Sequence, residues 1–255
     1  MSQHYKVLYD QSKEIENGSL VYRVELTRDC VHGAIGDRGG WVADQNSIQD
    51  DAWAFGEAMI YEAGQLFDNA VVSGDVKVRG SASIRENSIV SEQAVIYGNA
   101  EIRGKAQVKG KCEVYGHAQV YGDTILKDDC VIWGKARVEG GEWIESPFQA
   151  MGMNDHFVTE IKPGYLHIGC ETKSFEKWIT EGASFAKKKS SQNLYKKYAG
   201  YIEPLIRKYL KYSKDNWSEL GLVQKATYHI VLLKAKGWLK EQGKEDDSDQ
   251  YKIEE

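Results

Sequence analysis

Outside the repetitive part of this sequence, His156, His167 and Cys170 form one group of reactive side chains. A neighbouring imidazole can deprotonate a thiol, so His156 acting on Cys170 would create a nucleophile. His167 and Cys170 are three residues apart, which places them on opposite faces of a continuous strand and argues against shared metal ligation. Packing at the end of the fold is the alternative interpretation of this group. The sequence predicts no metal site.

A basic stretch near the C-terminus offers a different chemistry. Between residues 187 and 240 there are thirteen Lys and Arg against three acidic residues, with tyrosines interleaved. Such a segment can hold a phosphate backbone or a nucleotide, and its candidate contacts are Lys196, Lys197, Arg207 and Lys208. The alternative is that the tyrosines pack in a helical core and the lysines face water.

The dominant feature is a six-residue period from Asn46 to Gly141, sixteen units without an insertion. Each unit has a small residue first, such as Ala94, and an aliphatic residue third, such as Ile96, often followed by Gly at the fifth position. First and third side chains share one face of a strand, and Gly permits a corner. A fixed period of this length is typical of a parallel β-helix. The prediction is a mainly β solenoid.

Residues eighteen apart should then lie above one another, with second and fourth positions pointing outward. One outward column is an aromatic ladder, comprising Tyr61, Arg79, Tyr97, Tyr115 and Trp133. It predicts a platform for a partner or for a planar or anionic ligand. The alternatives are that the chain's own C-terminal segment or a symmetry mate covers it, in a trimer or dimer, or that aromatics only reflect strand propensity. A second face carries Trp53 in an apolar column, and the third is polar and predicted to face water.

The flanks read as covers for the open ends of the solenoid. Strands are predicted at 5–9, 19–26, 156–161 and 165–170, with Ser174 as a helix N-cap. The predicted organisation is an N-terminal β cap (1–45), the hexapeptide array (46–141), an α/β cap (142–182), a basic helical segment (183–242) and an acidic tail (243–255).

Composition and the pattern of apolar residues bear on the cellular location of the protein. The chain has 255 residues and a formal net charge of −5, with no apolar run long enough to span a bilayer and no apolar stretch typical of a signal peptide. The prediction is a soluble, cytoplasmic protein without a membrane partner. Cys112 and Cys130 are eighteen apart in the small column, so they should be buried thiols in adjacent coils whose parallel side chains disfavour a disulfide.

Several motifs besides the hexads carry a family resemblance. They are Gly36-Asp37-Arg38-Gly39-Gly40-Trp41-Val42, Asp155-His156-Phe157, His167-Ile168-Gly169-Cys170 and Ser174-Phe175-Glu176-Lys177-Trp178. Over residues 5–180 the chain is similar to a family of uncharacterised hexapeptide-repeat proteins encoded by bacteriophages and prophages. The resemblance implies a left-handed β-helix of triangular section, here about five coils, and a location in the host cytoplasm.

The leading functional expectation is a non-catalytic binding or scaffold protein without a cofactor. It would engage a host macromolecule or sequester a small ligand such as a nucleotide, as in anti-defence. A more distant similarity, to putative hexapeptide acyltransferases, implies a trimer in which His117 would act as general base with an acyl donor such as acyl-CoA. The unbroken array contains no loop that would shape a donor pocket. Fold likeness alone does not establish an activity.

Overall fold

The computed structural model describes residues 4–151, 157–168, 171–174, 177–178, 211 and 214–215. It contains a mainly β solenoid of six stacked coils, built from three parallel sheets. The chain divides into two compact units, Met1–Pro147 and Phe148–Glu255. Among the described residues, no helix is long and apolar enough to cross a membrane.

Each sheet of the solenoid forms one face, and each face is named here by its outward side chains. The tyrosine face contains β3 (Arg38–Val42), β5 (Met59–Ile60), β8 (Lys77–Val78), β11 (Val95–Ile96), β14 (Glu113–Val114) and β17 (Val131–Ile132). The Trp53 face contains β4 (Trp53–Ala54), β7 (Val71–Val72), β10 (Ile89–Val90), β13 (Gln107–Val108), β16 (Ile125–Leu126) and β19 (Glu142–Trp143). The arginine face contains β6 (Gln65–Leu66), β9 (Ser83–Ile84), β12 (Glu101–Ile102), β15 (Gln119–Val120) and β18 (Arg137–Val138).

The eighteen-residue register predicted from the period is confirmed. Val95 pairs with Lys77 on one side and with Glu113 on the other, and its amide donates to the Cys112 carbonyl at 2.9 Å. The first and third positions form the interior, where Ala94 and Ile96 are fully buried. The small side chains leave room inside each coil for the aliphatic ones. Each coil buries its inner face by stacking on the neighbouring coils.

The corners between strands follow one rule. From residue 50 to residue 140 every fifth position of the hexad has a positive φ, and the six that are not Gly are all acidic: Asp50, Glu62, Asp68, Glu86, Glu92 and Asp128. Four of these carboxylates, for example Glu62 with Gly80 N at 2.7 Å, accept the backbone N–H eighteen residues later. A charge-assisted hydrogen bond to the next coil offsets the strain that a side chain suffers in this conformation.

The solenoid is longer than the five coils predicted, because the period starts earlier and ends with a changed register. Trp41 and Val42 already pair in parallel with Met59 and Ile60, one hexad before Asn46. At the other end Leu126 pairs with Trp143, a separation of seventeen residues instead of eighteen. The buried Trp143 ring therefore takes the aliphatic position of the last coil, and its Nε1 donates to the Gly140 carbonyl at 2.9 Å.

An antiparallel hairpin covers the beginning of the solenoid. It consists of β1 (Tyr5–Glu14), longer than the predicted strand 5–9, and β2 (Leu20–Leu26), which then pairs antiparallel with β3. The buried Tyr5 hydroxyl lies 2.7 Å from the Gln45 carbonyl and 3.0 Å from that of Ile48. The hairpin thus closes a strand edge that would otherwise invite pairing with other chains.

The second unit contains an antiparallel meander of four strands. They are β20 (Gln149–Met151), β21 (Phe157–Lys162), β22 (Tyr165–Ile168) and β23 (Glu171–Ser174). The predicted strands about Pro163-Gly164 are confirmed as β21 and β22. Ser174 Oγ accepts the N–H of Lys177, a helical residue, at 3.3 Å, as predicted for an N-cap. The predicted helices in 183–242 and the acidic tail lie outside the described residues, apart from the helical residues 211 and 214–215.

Candidate binding faces

The tyrosine face carries a stack of side chains in adjacent coils. The rings of Tyr97 and Tyr115 are 4.8 Å apart and 11° from parallel, and the Arg79 guanidinium lies 4.6 Å from the Tyr97 ring centroid. This spacing equals the separation of neighbouring strands, so the backbone alone brings the rings into contact. All three side chains are half-buried. Burial, followed by the Glu113 charge, raises the pKa of Tyr97.

The Tyr61 end of the predicted ladder differs from its middle. Tyr61 is only 9% exposed, and burial raises its pKa. A cavity of about 240 Å³ lies between Tyr61 and Met59 on one side and residues 13–16 on the other, where Glu16, in the turn after β1, pairs with Lys77 at 3.0 Å. The hairpin therefore covers Tyr61. Trp133 is half-buried in the last coil of this face.

The arginine face contains a cluster that the sequence analysis missed, because its polar residues were assigned to water. Arg85 lies 5.0 Å from the Phe67 ring centroid, and Arg103 lies 4.5 Å from that of Tyr121. Glu101 sits between the two arginines, 3.6 Å from Arg85 Nε and 3.9 Å from Arg103 Nε. The signal was present in the fourth-position column, where Phe, Arg, Arg and Tyr follow one another at intervals of eighteen.

The Trp53 face is covered at its beginning. Trp53 lies at an outward position of its hexad, but its side chain is only 1% exposed because the rings of His4 and Tyr5 cover it. His4 Nε2 is buried without a hydrogen-bond partner, and burial lowers the pKa of this imidazole. Farther along, Ile89 is 40% exposed. This face is thus closed by the N-terminal cap at one end and accessible in its middle.

His117, the candidate general base, is exposed at a corner of the solenoid. Its backbone N–H donates to the Gly134 carbonyl at 2.6 Å, as the corner geometry requires. Within the described part of the chain, the imidazole has no hydrogen-bond or ion-pair partner to orient it. A catalytic base is usually oriented by a third group.

Of the candidates in the second unit, only His167 falls within the described residues. Its Nδ1 is 2.8 Å from Thr172 Oγ1, across the β22–β23 pair. His156, Cys170, Lys196, Lys197, Arg207 and Lys208 lie outside the described residues. The interactions predicted for those six residues therefore stay predictions.

Two other sets of titratable side chains are buried in the fold, namely Glu160 and the Cys112–Cys130 pair. Glu160 in β21 is 2% exposed, its Oε1 accepts the Gly164 N–H at 3.1 Å, and burial raises its pKa to about 7. Cys112 and Cys130 are buried free thiols, as predicted, and the neighbouring Cys112 thiol together with burial raises the pKa of Cys130. Throughout the described ranges, no group of three His, Cys, Asp or Glu could hold a metal ion.

No protein-family model matches the chain, and no curated protein matches it.

Proposed function

We propose that this protein is a non-catalytic scaffold that binds a macromolecular partner through the tyrosine face. The observation that supports it is the prearranged stack of Arg79, Tyr97 and Tyr115, half-exposed on a parallel sheet. The proposal includes a left-handed coil, a phage-encoded origin and a partner in the host cytoplasm, all from the family resemblance.

The chemistry of the face suits a protein surface. Tyr and Arg are enriched among the residues that dominate binding energy at protein interfaces. Here each side chain is already held by its neighbour, and the Tyr97 hydroxyl lies 3.4 Å from Glu113 Oε2. Little side-chain entropy remains to be lost when a partner docks.

The same stacking argues against a nucleotide between the two tyrosines. Rings 4.8 Å apart leave no gap for a third ring, so a planar ligand would have to force adjacent coils apart. A partner that contacts the ring edges and hydroxyls needs no such movement. No comparable observation on the described residues favours acyl transfer.

The test compares two double variants of the full chain, purified from the cells that naturally produce it. In the first, Tyr97→Ala with Tyr115→Ala removes the stack. In the second, Phe67→Ala with Tyr121→Ala removes two rings from the same column on the arginine face. Native mass spectrometry should show a retained partner on the wild type and on the second variant, and its loss from the first.

Two other outcomes are informative. If the first variant alone loses self-association, the occupant of the tyrosine face is a second copy of this chain in a dimer or trimer. If partner and subunit number are identical in all three proteins, the proposed function is wrong. Matching thermal melts establish that either double variant still folds.

A further inference from the structure

The arginine face arranges four side chains in one column across four successive coils. Phe67, Arg85, Arg103 and Tyr121 occupy the fourth position of their hexads, and the strands beside them pair in register. The order places two arginines in adjacent coils, whose strands are ~4.8 Å apart, with an aromatic residue in the coil beyond each. The rings hold the arginines from outside, 5.0 Å and 4.5 Å from their Cζ atoms.

The charges of this column are not balanced. Two guanidinium groups share the single carboxylate of Glu101, which approaches both through their Nε atoms. Glu101 Oε2 also lies 3.4 Å from the Gln119 side-chain amide, and Ser83 Oγ lies 3.3 Å from Arg85 Nε. These contacts use the inner edge of each guanidinium. In the described part of the chain, the terminal nitrogens of Arg85 and Arg103 have no partner.

Solvent reaches those terminal nitrogens, since the two side chains are 46% and 38% exposed. Arg137 and Glu139, farther along the same face, carry opposite charges and add no net charge. Over the outward strand positions of these two coils, one positive charge therefore remains at the Arg85–Arg103 pair. The corner carboxylates of Asp68 and Glu86 are already bonded to backbone N–H groups. Two adjacent guanidinium groups repel each other, and an anion that bridges them would relieve this repulsion.

We propose that Arg85 and Arg103 form a binding site for a phosphate group, either inorganic phosphate or a phosphomonoester. A guanidinium group binds phosphate by two parallel hydrogen bonds, and a tetrahedral dianion has enough oxygens to accept from two such groups at once. Phe67 and Tyr121 restrict the arginines to the positions they already occupy, so less conformational entropy is lost on binding. The site lies on a different face from the proposed docking surface and does not depend on it.

The first experiment titrates the full chain with inorganic phosphate and, separately, with methyl phosphate, followed by ³¹P NMR. Both probes should bind saturably to the wild type. Arg85→Gln and Arg103→Gln should each weaken binding by about 10-fold, the loss expected for one charge-assisted contact. Arg85→Lys should recover only part of the affinity, because an ammonium group cannot form the planar fork. Stronger binding of methyl phosphate would identify a phosphorylated molecule as the natural ligand, and equal binding would identify free phosphate.

A matched control variant and a variant that is expected to tighten phosphate binding make the test specific. Lys109→Gln removes a positive charge from the same hexad position on the Trp53 face and should change affinity by less than about two-fold. Glu101→Gln removes the competing carboxylate and should tighten binding several-fold, which a purely structural role for Glu101 would not produce.

Three results would overturn the proposal. One is the lack of saturable binding of either probe below about 10 mM. Another is undiminished binding in both Arg→Gln variants, which would place the phosphate elsewhere, for example on the basic C-terminal segment. The third is weaker binding by Glu101→Gln. Thermal melts of each variant must match the wild type for these comparisons to count.

Discussion

The tyrosine face and the arginine face use the same backbone position for opposite purposes. Both display a column of fourth-position side chains at one-coil intervals, and both combine arginine with aromatic rings. On the tyrosine face, Tyr97 and Tyr115 are adjacent and close against each other. On the arginine face, Arg85 and Arg103 are adjacent and share the single carboxylate of Glu101. The solenoid sets the spacing, and the order of residues within a column decides what the face can recognise.

The largest effect is expected from a substitution in the solenoid interior, which supports both faces. Ile96→Asp places a carboxylate in the fully buried interior of the coil that carries Tyr97, without a partner, and should cost about 4 kcal/mol or more in the free energy of unfolding. Both partner binding and phosphate binding should be lost together, as chemical denaturation and the two binding assays would show. Ile89→Asp makes the same substitution at a 40% exposed position and should cost about 1 kcal/mol or less. Equal losses from the two variants would refute the inward assignment of Ile96.

A smaller loss is expected where two coils touch at a corner. Gly98 has a φ of +72°, and a Cβ there would lie 2.9 Å from the Gly116 backbone nitrogen. Gly98→Ala should therefore lose about 1 kcal/mol from the φ constraint and roughly 1–3 kcal/mol more from the clash. Gly36→Ala is the matched control, because its φ is +89° and nothing lies within 4 Å of the added Cβ. If denaturation shows equal losses, the spacing between the coils of Tyr97 and Tyr115 is not sterically fixed.

Removing one arginine from each face in turn should separate partner binding from phosphate binding. Arg79→Gln removes the cation that contacts Tyr97 and should weaken partner binding by about 10-fold while phosphate affinity stays within about two-fold. Arg85→Gln should have the converse effect. Measuring both ligands on both variants tests the comparison directly. Parallel losses in all four measurements would mean that the faces are one site or that the fold is damaged.

The smallest effect concerns the covered end of the Trp53 face. Burial lowers the pKa of His4 below 6.5, opposed by Asp51 and reinforced by His32 and Arg28. As pH falls through 6.5, the unfolded chain takes up a proton before the folded protein does, so the free energy of unfolding decreases. The melting temperature of His4→Phe should therefore fall less than that of the wild type between about pH 7.5 and about pH 5.5. An unchanged pH slope in His4→Phe would contradict the assignment.

The period was sufficient to predict the interior and the stacking of columns such as Val95 on Glu113, because both depend only on local alternation and a constant coil length. It could not predict that Trp53 is buried, since the covering residues His4 and Tyr5 are distant in sequence. It also could not predict the Arg85–Arg103 pair as a site, because the side chains' approach to Phe67, Tyr121 and Glu101 depends on rotamers. The sixth coil was missed because the stacking already begins at Trp41 and Val42 and because Trp143 enters the interior one residue out of phase.

The carboxylates that bond to the corner eighteen residues later have a consequence for how such a chain can change in length. Duplicating eighteen residues keeps every column on its face and gives each corner carboxylate an equivalent backbone N–H donor. Duplicating six residues keeps the interior but moves every later side chain to the next face. Tyrosines would then follow arginines along a single face. The length of a duplication in this array therefore determines its effect on the surface. A whole coil lengthens the existing surfaces, whereas one hexad shuffles them into new ones without disturbing the core.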